Sequence, residues 1–269
     1  MGLSWIRSTA PKFLLGLVVP CLVLVFWQWV GSLASMAGIL PTPLLVLSGW
    51  HDWIFGQPGL GLNPYLGTWL SNVQYSSLRV IQGFALAAVL GVPLGLFIGW
   101  SRTVSSVMDP MIQCLRPIPI TAWLPFSIAI FGIRDMGSIF LIFLGGFYAI
   151  VVNTTQGARD VERNLVRAAL MMGASRSSLL YRVVWPSAMP SMFTGLRIGL
   201  GISWTAVIVS EMVAVKSGLG YVLWDAYYVG RMDIVLADMV SIGMMGYISD
   251  RIIVFVEKRT LVWRVLQSH

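Results

Sequence analysis

Three acidic side chains stand inside apolar stretches of this chain: Glu211 in LRIGLGISWTAVIVSEMVA, and Asp238 and Asp250 in the stretch that follows Asp233. A carboxylate among aliphatic side chains is either a working group or half of a buried pair, because ionised groups are costly to bury alone. Hydrolysis by such groups needs a nucleophile with its base, or two aspartates facing each other from separate helices. Neither pattern is present. Asp238 and Asp250 fall twelve residues apart on one predicted helix, His51 lies in a Trp- and Pro-rich stretch, His269 is the last residue, and no G-x-S-x-G occurs. Cys21 and Cys114 sit in or beside apolar runs and read as packing residues. No His, Cys, Asp or Glu cluster has metal-ligand spacing. No G-x-x-x-x-G-K-[ST] loop occurs either, so ATP hydrolysis is not expected of this polypeptide.

The other reactive-looking set is basic. Gly157 to Pro190 reads GARDVERNLVRAALMMGASRSSLLYRVVWPSAMP and holds five arginines, Arg159, Arg163, Arg167, Arg176 and Arg182. Its 34 residues exceed an ordinary connection. Val161, Leu165, Ala168, Ala169 and Met172 recur at helical spacing. Gly173 suits the end of that helix, Ser175 can cap a second, and Pro186 and Pro190 close it. This pattern predicts a helix–bend–helix. It fits either a membrane-surface helix pair facing anionic lipid or a docking knob for a partner protein.

The elements that must carry these groups follow from composition. Of 269 residues, 57% are hydrophobic and 11% charged, against about 25% charged in a soluble domain. At roughly 20 apolar residues per helical crossing, one all-α membrane domain is expected, without room for a soluble one. Six crossings are predicted, at about 13–31, 79–100, 118–133, 137–154, 194–213 and 234–250. The first is read as a retained span rather than a cleaved signal. The stretch 39–77, with Trp50, Trp53 and Trp69, reads as interfacial helix and loop. Ala87, Gly91, Gly95 and Gly99 bare one face of the second crossing for close helix approach. Prolines 93, 117, 119 and 125 break backbone bonding at membrane depth, which favours a segment lining a wet cavity. With the N-terminus inside, and Arg197 and Arg251 near crossing ends set aside, twelve Lys and Arg fall on one side and four (Arg79, Arg134, Lys216, Arg231) on the other. That bias predicts cytoplasmic termini and explains the net charge of +7 without nucleic acid as a partner.

The basic segment resembles the loop of ATP-binding-cassette (ABC) importer permeases, the inner-membrane components of binding-protein-dependent transport systems. Their pattern is E-A-A, three residues, G, nine residues, I-x-L-P. Ala168, Ala169, Gly173, Val183 and Pro186 match it at the right spacing, while Arg167 replaces the glutamate and Trp185 the leucine. The resemblance runs from about residue 76 to 263 and includes RPIPITAWLPFSIAIFGI (116–133) and SGLGYVLWDA (217–226). These segments look like the branch importing nitrate, bicarbonate, sulfonates, taurine and similar small solutes. The resemblance implies a type I importer permease: one domain over 1–269, a core of about 76–263, and a coupling loop of about 157–190. Arg167, Ala168, Ala169, Gly173, Ala174, Ser175 and Pro186 would engage the ATPase. It also implies a homodimer or pseudo-dimer of permeases, two ATPase subunits that bind ATP and Mg, and an extracytoplasmic solute-binding protein that holds most of the selectivity. Ser203, Trp204, Ser210 and Glu211 are the residues that would line or shape the path. Structural pairing of Glu211 with a neighbouring helix is the alternative, and Asp238 has the same status. A self-sufficient carrier is the competing class, although no internal repeat supports it and such a protein has no use for a docking loop.

Overall fold

The computed structural model describes residues 18–33, 39–57 and 64–261. Regular structure among them is helical: α1 (Val18–Gly31), α2 (Pro43–Phe55), α3 (Trp69–Trp100), α4 (Arg102–Leu115), α5 (Leu124–Phe131), α6 (Asp135–Arg159), α7 (Arg163–Met171), α8 (Arg176–Leu179), α9 (Trp185–Ala214), α10 (Leu219–Val229) and α11 (Met232–Thr260). A 3-10 turn at Ile120–Trp123 precedes α5, and a π-wound turn at Leu180–Val184 precedes α9.

Among the described residues, four helical runs are long and apolar enough to cross a bilayer: α3, α6, the continuous run Arg176–Ala214, and α11. A fifth span arises if α4 and the segment Ile120–Phe131, which meet at 90°, count as one broken crossing. Six straight crossings are therefore not found among the described residues. The expected first one is helical over Val18–Gly31, short of a span, and its earlier residues lie outside those described. The expected third one is the second arm of the broken pair. Pro117 and Pro119 at the bend lack the N–H that a continuing helix needs.

Small residues explain why the broken pair must still carry the chain across. A Cβ placed on Gly83 would lie 2.6 Å from Ile142, one on Gly95 2.7 Å from Thr154, and one on Gly99 2.5 Å from Ala158. The partner numbers rise together, so α3 and α6 run parallel with their backbones in close approach. Against α9 they fall instead: Gly146 meets Ser203, Asn153 meets Gly195 and Gly157 meets Ser191, so α6 and α9 are antiparallel. Parallel α3 and α6 put Trp100 and Asp135 at opposite ends of this bundle. The chain between them has to travel its length, about 37 Å for the 25 residues of α6. The stripe of Ala87, Gly91, Gly95 and Gly99 thus meets α6. Gly95→Val is expected to destabilise the protein by about 1–3 kcal/mol, because the added carbon meets the Val151 carbonyl, which cannot step aside. Thermal unfolding in detergent should drop for Gly95→Val and not for Gly201→Ala, whose Cβ meets nothing within 4 Å. Equal melting temperatures would mean that the two helices do not pack this way.

The unit formed by residues 1–70 and 222–240 holds its own polar clasps. Thr42 caps α2 and Pro43 starts it. Tyr65 donates to Asp225 (2.7 Å), and Trp27 Nε1 donates to the Pro41 carbonyl (3.1 Å). Trp53, expected at the headgroup level, is fully buried and donates to the Thr68 hydroxyl at 3.2 Å. A partner for its indole N–H lets it serve as core. Trp69 opens α3, which starts ten residues before the expected crossing and reaches 32 residues.

Candidate functional site

Two polar assemblies occupy the unit formed by residues 71–221 and 241–269, and α6 and α9 join them. The first is a charge lock. Asn72, Ser76, Arg79 and Gly83 follow at i, i+4, i+7 and i+11, so they share one buried face of α3. Arg79 reaches Glu211 near the end of α9 at 2.6 Å and Asp135, the first residue of α6, at 2.8 Å. Its remaining donors go to the Ser217 carbonyl (2.8 Å) and hydroxyl (2.7 Å). The Glu211 carboxylate is fully buried and also accepts from the Ser76 hydroxyl (2.8 Å) and the Gly220 amide (2.9 Å). The Gly218 amide donates to Asn72 and the Leu219 amide to Ser76. The segment Ser217–Gly220 is thereby folded over the carboxylate. Gly218 permits this: its φ is +106°, and any Cβ would enter the Glu211 carboxylate. A buried carboxylate with an arginine, a hydroxyl and an amide as donors satisfies the condition for keeping a charge out of water.

The second assembly is the basic loop at the other end of α6 and α9. Helix α7 ends with the Ala174 amide bonded to the Ala169 carbonyl and Gly173 bonded to Leu170, both at 3.0 Å, with Gly173 at φ +79°. This is the glycine-terminated helix end expected from the spacing. The Ser175 hydroxyl accepts from the Ser178 amide and caps α8. Pro186 and Pro190, however, do not close α8. The helix continues through the π-wound turn into α9, giving 39 unbroken residues from Arg176 to Ala214. Pro186 has no N–H to give, and the wider winding just before it accommodates both that loss and the ring. Ala169 and Leu179 are buried, while Arg167, Ala168, Met171 and Met172 face outward, the two methionines at 89% and 81% exposure. Arg159 pairs with Asp109 on α4. Arg163, Arg167, Arg176 and Arg182 have no carboxylate partner among the described residues. Exposed methionines on a segment with four guanidinium groups that lack a carboxylate have the composition of a protein-docking surface.

The path residues expected from the sequence do not form one cluster. Ser203 and Ser210 are fully buried, and Ser210 bonds back to the Val207 carbonyl. Trp204 donates to Ser249 of α11 at 2.9 Å. Asp238 is buried. Arg79, which reads from the sequence as a loop charge, is instead the centre of the lock. The signal that points to it is the helical repeat of Asn72, Ser76 and Arg79, which puts all three on one face.

Comparison with known proteins identifies the fold and the family. Residues 91–262 match the model of the binding-protein-dependent transport system inner membrane component family. A Methanocaldococcus jannaschii protein named for an ABC transporter permease is 38% identical over 268 residues, which are 99% of this chain and 98% of that protein. The nitrate import permease protein of a Synechocystis species is 36% identical over 261 residues, 95% of this chain and 91% of that one. Among solved structures, a chain of the MetNI methionine ABC transporter in inward-facing conformations superimposes with a TM-score of 0.63 at 17% identity. That match covers 71% of this chain and 95% of the other, and it supports the fold. The chain belongs to the family of binding-protein-dependent transport system inner membrane components, the multi-pass permeases of ABC importers.

Proposed function

We propose that two copies of this permease form the path for a small oxyanion of the nitrate or bicarbonate type, delivered by an extracytoplasmic binding protein. Two ATPase subunits, which bind ATP and Mg, dock on the Gly157–Pro190 loop from the cytoplasm. Both termini lie on that same side. The observation that carries this reading is mechanical. The loop hangs between α6 and the unbroken run Arg176–Ala214, and the far ends of these two rods are tied together by Arg79 through Asp135 and Glu211. A run of 39 residues is about 58 Å long, so a shift imposed at the loop arrives at the lock as a rigid-body movement. Ala168 and Ala174 keep side chains short where the ATPase seats, with Ala169 buried behind them. Gly173 and Ser175 fix the bend, and Pro186 anchors the start of α9. Ser203, Trp204, Ser210 and Glu211 shape the path by fixing α9 against its neighbours.

The oxyanion preference draws on the nitrate import relative and on a cavity beside α4 that is lined by an arginine and no carboxylate. Proteoliposomes carrying the permease with its ATPase and binding protein are expected to accumulate labelled nitrate or bicarbonate only when ATP is supplied. Accumulation of an uncharged solute in preference to either anion would overturn the substrate class. For orientation, a cysteine placed beside Arg176 should resist membrane-impermeant reagents in intact cells. Labelling from outside would reverse the topology.

A further inference from the structure

Where α4 meets the 3-10 turn, a cavity of about 550 Å³ opens between the broken segment and α6 and α9. Its wall is mostly aliphatic, and its polar members are Arg116, Trp123, Tyr148 and Asn153. Arg116 is the C-cap residue of α4, so its backbone is held by a bond to Ile112 while its side chain stays available. Among the described residues it has no carboxylate partner. The Trp123 Nε1–H is buried and has no hydrogen-bond acceptor. A buried indole N–H normally finds one, so an acceptor from outside the chain would complete it. Asn153 spends one amide hydrogen on the Ala149 carbonyl at 2.8 Å. No carboxylate lines the cavity.

Arginine and the indole N–H are donors only, a phenol also donates readily, and Asn153 adds an amide oxygen as an acceptor. Such a set repels a free ammonium group and favours a group that only accepts. The planar guanidinium fork matches two oxygens of a planar oxyanion. With a water taking roughly 30 Å³ of liquid volume, 550 Å³ admits an anion of three or four heavy atoms with part of its hydration shell. Mostly aliphatic walls keep the hold weak, as a transit site needs.

We infer that this cavity is an anion way-station on the transport path, with Arg116 and Trp123 as its principal donors and Tyr148 as a third. The inference rests on the permease reading and assigns the substrate class to a place within it. Its test uses the purified full chain in nanodiscs, with ¹⁵N-nitrate as the probe and NMR line broadening as the readout. Wild type is expected to broaden the nitrate signal saturably in the millimolar range, with competition by bicarbonate and none by glycerol. Arg116→Gln is expected to weaken binding about tenfold and Trp123→Phe about threefold to tenfold, for one charge-assisted and one neutral hydrogen bond. Tyr148→Phe removes only a hydroxyl and cannot unfold a helix. It should weaken binding by a smaller factor, which keeps the test meaningful if Arg116→Gln folds poorly. Absence of saturable broadening in wild type, or equal broadening in all three variants, would overturn the site. Either result leaves the permease assignment standing, because that assignment is tested separately by ATPase docking.

Discussion

Glu211→Ala is expected to destabilise the permease by about 3–5 kcal/mol, the cost of stranding the buried guanidinium of Arg79. Arg79→Ala is expected to cost a similar amount by stranding the carboxylate. Three interactions fail together in Glu211→Ala: the ion pair, the Ser76 bond and the bond from the Gly220 amide that folds the following segment over α9. Asp135→Asn should cost less than about 1 kcal/mol, because Asp135 is 65% exposed and water already screens that pair. The double variant Arg79→Met with Glu211→Leu should recover most of the stability, since apolar side chains of similar size substitute well for a buried pair. Thermal unfolding followed by tryptophan fluorescence reads all four. Additive losses in the double variant would mean that Arg79 and Glu211 do not act on each other. If the lock also ties α6 to α9 during transport, the double variant should fold yet transport poorly.

The second large effect lies at the loop. Gly173→Glu should leave the protein in the membrane but reduce ATPase affinity by about 30- to 700-fold, the equivalent of losing 2–4 kcal/mol at the centre of an interface. Two effects combine. A Cβ at φ +79° is strained, by about 1–2 kcal/mol, and a new carboxylate sits beside the exposed methionines. No side chain within 4 Å would meet the new Cβ, so any loss reports on the bend and the partner rather than on a clash inside the permease. Gly173→Asn separates the two, because asparagine tolerates this backbone region and should dock nearly normally. Met171→Glu alters a fully solvated tip and should weaken docking without any change in melting temperature. ATPase binding by purified permease, measured with each variant, decides the matter. Wild-type affinity for both Gly173→Glu and Met171→Glu would end the docking role of this loop.

Whether a feature is legible in the sequence depends on whether its deciding contact is local. The end of α7 at Gly173 and the Ser175 cap depend on neighbours within five residues, and spacing alone places both correctly. The bare face of α3 is also readable, because glycines four residues apart leave a groove whatever fills it. Which helix fills it is not readable, since the α3–α6 register is set by contacts some sixty residues apart in the chain. The continuation of α8 into α9 escapes the sequence for a related reason. Pro186 ends a helix by local rules, and only a π-wound turn, which no residue pattern announces, lets the helix pass through it. The third crossing falls at the expected residues but is not a straight span. Its prolines are visible in the sequence, yet the 90° bend comes from their combination with α4. Glu211 stands out as a residue needing a partner from its apolar neighbours alone. Arg79 does not, because apolar content by itself starts its helix ten residues too late and leaves the arginine at the edge of a loop.

Central to the proposed function is the docking of an ATPase on the Gly157–Pro190 loop. The most direct test is a cysteine at position 171 carrying a photo-crosslinker, irradiated in native membranes, with the adducts identified by mass spectrometry. A single dominant adduct with a nucleotide-binding ATPase subunit, lost in Gly173→Glu, is the predicted result. Adducts with lipid alone, together with unaided solute movement by the purified chain in liposomes, would contradict it and make the protein a self-sufficient carrier.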